Sequence, residues 1–125
     1  MLGQSPSAYY EEPAAYVLDV SLSGNQERLD VPLFTDSDSE FILEALAGTS
    51  TGAYQIRVRL PNGRYMSNAA VRNANAVGSA QFPVPIIPTV TVPPGGRLGF
   101  DLKDLSGQSN TVQLVLLGRR RYRLS

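Results

Sequence analysis

Histidine, cysteine and tryptophan are all absent from the 125 residues of this chain. Without cysteine and histidine there is no disulfide framework, no Cys/His zinc site, no thiol nucleophile and no Ser-His-Asp triad. No recognised catalytic motif replaces them, so neither an enzyme nor a cofactor is expected. No window approaches the roughly 18–20 consecutive apolar residues of a membrane span. The opening Met1-Leu2-Gly3-Gln4-Ser5-Pro6 has neither the basic start nor the apolar run of a signal peptide. Synthesis and use in a cytoplasm, away from any membrane, is therefore the expectation. The length suits a single domain.

Net charge is also missing in sum, with eleven basic and eleven acidic side chains. The balance conceals a polarity along the chain. Residues 1–44 hold nine acids against Arg28, a net −8, whereas residues 45–125 hold ten bases against Asp101 and Asp104, a net +8. Such opposed regions can pair between neighbouring subunits or interleave within one.

What is present is alternation with period two, the mark of half-buried strands. Leu18, Val20 and Leu22 alternate with polar residues before the turn Gly24-Asn25. Leu29, Val31 and Leu33 follow, with Pro32 marking an edge or a bulge. Tyr54, Ile56, Val58 and Leu60 form the cleanest strand, and Pro61-Asn62-Gly63 reads as its hairpin turn. Leu98, Phe100 and Leu102, then Val112, Leu114 and Leu116, complete the series, the last run broken by Gly118. Phe41–Ala47 is too short and uncapped for a helix and reads as a buried strand. Seven or eight short strands predict an all-β fold, an antiparallel β-sandwich of jelly-roll type, over residues 17–125.

Two regions depart from this rhythm. Residues 1–16 carry Tyr9, Tyr10, Tyr16 and two prolines without a clear period. They predict an extended N-terminal arm whose aromatics suit an interface. Residues 67–80 are rich in Asn, Ala and Ser, and Phe82-Pro83-Val84-Pro85-Ile86-Ile87-Pro88 follows. Proline at this density imposes extended backbone with few ladder bonds, so a long proline-rich loop is expected to present Phe82, Ile86 and Ile87 to a partner.

The charged clusters are weaker signals. Asp36, Asp38 and Glu40 alternate as in an EF-hand, but the turn position holds Phe41 and the twelfth Ala47, so a solvated acidic turn is expected rather than a metal site. Asp101 and Asp104 beside Lys103 read as structural charges, and Gly95-Gly96 lacks the residues of a phosphate loop. The strong run is Arg119-Arg120-Arg121-Tyr122-Arg123. It suits docking on an acidic protein surface better than nucleic acid, for which one short cluster is too little. If a strand continues through it, Arg119, Arg121 and Arg123 share one face.

Gly63–Val71 (GRYMSNAAV), the stretch Pro83–Gly118 with its PPGG turn and DLKDLSGQSNTVQL segment, and the basic tail together resemble a family of small tailed-bacteriophage virion proteins. The resemblance spans roughly residues 54–125. It implies a β-sandwich subunit on the head or neck of the particle, either a capsid decoration protein or a collar protein. It also implies residence in the virion after assembly in the host cytoplasm. The partners it implies are further copies of the chain, in a ring or trimer, and the major capsid or head-tail connector protein. The alternative is a β-sandwich binding module. That module would take carbohydrate on Tyr54, Tyr65 and Tyr122, or nucleic acid on the basic run.

Overall fold

In the computed structural model, which describes residues 8–124, the alternating segments become eight β-strands. They are β1 (Tyr9–Leu22), β2 (Glu27–Phe34), β3 (Glu40–Ser50), β4 (Tyr54–Arg59), β5 (Val71–Arg72), β6 (Val84–Val92), β7 (Arg97–Asp104) and β8 (Asn110–Arg123). One helical turn, α1 (Asn73–Ala76), follows β5. The strands form two four-stranded antiparallel sheets, ordered β1-β8-β3-β6 and β2-β7-β4-β5. We call them sheets A and B.

The core lies between the inward faces of the two sheets. Val20 and Leu22 of β1, Phe41 and Leu43 of β3, and Val112, Leu114 and Leu116 of β8 come from sheet A. Tyr54 and Ile56 of β4 and Leu98, Phe100 and Leu102 of β7 come from sheet B. These are the alternate residues that the period of two places on one side of each strand. Gln55 and Arg57 fall between the buried residues of β4, as Asp101 and Lys103 do on β7. Strand β2 is an edge, and it carries both the proline and a bulge between Arg28 and Val31. Asp30 adopts a left-handed φ of 55° in that bulge.

Three expectations need correction. The N-terminal arm, where it falls within the described residues, is the first half of β1, in unbroken register with β8 from Tyr9–Arg123 to Leu22–Asn110. Pairing with the last strand holds one side of its backbone in the ladder, so from Tyr9 onward the segment belongs to sheet A. The remainder of that segment lies outside the described residues. The proline-rich strip is not a loop either. Val84–Val92 is the edge strand β6 on β3, the position in a sheet where proline is tolerated. Ile86 packs against the core instead of facing outward. Finally, Gly118 does not end its strand. It sits opposite Leu43, beside the bulge that leaves Glu44 unpaired, and a Cβ there would strike the Ile42 carbonyl. Glycine lets β3 approach closely enough for β8 to continue through the arginines.

Candidate interaction surface

Strand β8 lies between β1 and β3, so its arginines meet carboxylates from both sides. Alternation puts Arg119, Arg121 and Arg123 on the outward face of sheet A and Arg120 and Tyr122 on the other. The Arg119 guanidinium donates to Glu11 at 2.8 Å and to Glu44 at 3.2 Å. Arg121 is paired with Glu40 at 2.8 Å, directly opposite on β3, and stacks 4.7 Å from the Tyr9 ring. Arg120 meets Asp36 at 3.0 Å and Glu12 at 3.7 Å. The acidic and basic halves of the sequence thus interleave within one subunit. Arg119, Arg120 and Arg121 are committed to the chain's own carboxylates. The exposed Arg123 instead shares a recess of ≈ 330 Å³ with Tyr9, Asp38 and Pro94.

The tyrosines divide in the same way. The Tyr16 hydroxyl donates to Asp36 at 2.8 Å and accepts the Asp36 N–H at 3.1 Å, while its ring meets Phe41 edge-on at 4.8 Å. It closes one end of the core. The bond from Tyr16, joined by those from Arg120, holds the Asp36 carboxyl below its ordinary value. With Asp36 turned to Tyr16 and Glu40 to Arg121, the acidic turn does not converge on a cation. Tyr9 and Tyr10 remain exposed, Tyr10 tilted against Tyr122 at 6.0 Å between centroids. Tyr122 donates to Glu12 at 3.0 Å.

None of the tyrosines suggested as a sugar platform is open. Tyr54 is buried. Tyr65 has Arg57 3.7 Å and Arg59 4.6 Å from its centroid, accepts from Arg59 at 2.7 Å and donates to Asp101 at 2.9 Å.

Next to the ionic strip, the outward face of sheet A is apolar. Ala15, Leu117, Ala45 and Pro85 form one row across all four strands. Val17 and Val115 form the next, which ends on Ala47, already buried within the chain. Shallow clefts open along both rows because the side chains are short. Beyond the β6 edge, Phe82 is 78% and Ile87 86% exposed. Both were expected to face a partner, and both are available to one. The rows were missed in the sequence because small residues from four distant strands make them.

The DLKDLSGQSN segment has a structural task. Asp104 is buried and accepts from the N–H groups of Asn25, Ser106 and Gly107, the Ser106 hydroxyl and the Asn110 amide, all within 3.1 Å. Asn110, also buried, reaches the Gly52 and Ala53 carbonyls and accepts from the Gly52 N–H. Burial alone would push the Asp104 carboxyl up; the donors from Ser106, Asn25 and Asn110 outweigh it and hold the group far below the usual carboxylate range. Three loops at one end of the sandwich are tied to this pair.

No protein-family model and no curated protein matches the chain. A solved structure described under the words "Bacillus endospore appendages form a novel family of disulfide-linked pili" aligns over 99% of this chain and 98% of its own, at 12% identity and a TM-score of 0.42.

Proposed function

We propose that the protein is a non-catalytic structural subunit of a tailed-bacteriophage particle, attached to the head or neck as a decoration or collar protein. The sheet orders β1-β8-β3-β6 and β2-β7-β4-β5 fit a jelly roll, an architecture that capsid subunits use. The observation that carries the reading is the outward face of sheet A. Two apolar rows lie beside Arg119 and Arg121, whose charges are already neutralised within the chain. Covering such a face removes apolar area from water without stripping solvent from unpaired ions. Contacts with neighbouring copies and with the shell or connector protein would then be largely apolar and weakly sensitive to salt. In this reading the subunit is made in the host cytoplasm and resides in the virion.

The test is to locate the chain on purified particles. A small tag inserted at Gly63, where the β4 turn has open space around the Cα, leaves sheet A untouched. A label over the whole head identifies a decoration protein, and a label at one vertex identifies a collar. Absence of the chain from gradient-purified particles overturns the reading.

A further inference from the structure

Among the described residues the two sheets end on four edges: β1 and β6 in sheet A, β2 and β5 in sheet B. An open edge offers unpaired N–H and C=O groups to any other strand, and folded proteins usually guard against this. Three of these edges are guarded. Strand β2 has its bulge and Pro32, β5 is two residues long, and β6 contains Pro85 and Pro88 with a register break against β3. Strand β1 is different. It runs 14 residues in perfect register with β8, and after Pro13 its second half, Ala14–Leu22, has no proline, no bulge and one charge, Asp19.

The geometry points to antiparallel pairing of this edge with the same segment of a second copy, centred on Leu18, so that two copies of sheet A join into one continuous sheet. Residues directly opposite in an antiparallel pair lie on the same face. With Leu18 facing Leu18, Tyr16 faces Val20 and Ala14 faces Leu22, so every inward pair is apolar. Ala14, Tyr16 and Leu18 are packed on the core yet only partly buried, as expected where the covering neighbour is missing. On the outward face Val17, 51% exposed, comes opposite Asp19, and Ala15 opposite Ser21. A register centred on Asp19 would set two carboxylates against each other, which like-charge repulsion disfavours.

The inference rests on the self-association part of the proposed function but not on the particle. Sedimentation velocity of the full chain across a concentration series should find a reversible dimer. Val17→Asp sets two like-charge pairs with Asp19 across the dyad and should weaken dimerisation roughly tenfold. Adding Asp19→Lys to that variant should restore it, as should Val17→Lys alone, since both place opposite charges in register. Circular dichroism checks that each variant is folded, and Val17→Lys decides the matter if Val17→Asp is not. A chain that stays monomeric throughout overturns the inference, as does a folded Val17→Asp that dimerises as tightly as the parent. A monomer that still binds particles would leave the virion reading standing, and a dimer absent from particles would leave only the inference.

Discussion

Arg119 stands between Glu11 of the first strand and Glu44 of the third, 2.8 Å from one and 3.2 Å from the other. Its side chain is 37% exposed, so each pair is a surface ion pair of modest worth. Removing the arginine also leaves two carboxylates flanking β8 without a cation between them. Arg119→Ala should therefore cost about 1 kcal/mol in low salt, and less in high salt where the pairs are screened. Urea unfolding at two ionic strengths checks this; a loss that does not depend on salt would mean that the arginine stem, rather than its charge, matters.

At the opposite end of the sandwich, Asn110 should be far less tolerant. Its amide serves the Gly52 and Ala53 carbonyls and Asp104 at once, in a buried position. Asn110→Ala strands these acceptors without water, and a loss of roughly 2–4 kcal/mol is expected. Thermal unfolding measures it. An effect below 1 kcal/mol, by the same principle, would mean that water replaces the amide.

The contrast between these two sites also explains what could be read in the sequence. Strands β4 and β7 were legible because each is buried on one face along its whole length, so Ile56 and Leu102 alternate with Arg57 and Lys103. The first half of β1 gave no such pattern. There Glu12 meets Arg120, so the face that is apolar further along the strand is polar at this end. The charge polarity was plain, yet its resolution was not, because Arg119 and Glu11 lie 108 residues apart and only the pairing of first and last strands unites them. The role of Asp104 was hidden for a related reason. A carboxylate surrounded by backbone donors looks, in sequence, like any charged turn. Even Gly118, a breaker by local rules, acts through a carbonyl on another strand.

Alkaline pH offers a test of the core. Burial pushes the Tyr54 hydroxyl up from 10.0 to about 12. The unfolded chain then ionises this group first, so between those values unfolding releases a proton and stability falls as pH rises. Tyr122 is raised as well, by its bond to Glu12. Tyr54→Phe should flatten the decline in urea midpoint above pH 10, and Tyr122→Phe should remove part of what remains. An unchanged slope in both variants would place the alkaline sensitivity elsewhere.

In acid the sign reverses at Asp104. Its folded value lies far below the ordinary 3.8, so its stabilisation is complete above that value and fades as pH falls beneath it. The parent chain should lose stability steeply below about pH 4, and Asp104→Asn, weaker at neutral pH, should lose less on further acidification. Parallel acid titrations followed by circular dichroism separate the two curves; coincident slopes would remove Asp104 from the account.

The apolar rows of sheet A yield the prediction closest to function. Leu117 lies in the row with Ala15, Ala45 and Pro85, outside the core, so Leu117→Gln should change stability by no more than about 1 kcal/mol. If that face is covered on the particle, the same change buries an amide without a partner and should weaken attachment by roughly tenfold or more. Ile87→Ser, on the exposed β6 edge, separates the two surfaces. Co-sedimentation of each variant with particles lacking the protein measures both. Loss with Leu117→Gln alone assigns the contact to the sheet face, and loss with Ile87→Ser alone assigns it to the edge. Undiminished binding by both variants would remove sheet A from the interface, because neither a polar group in the rows nor one on the edge could then have been desolvated.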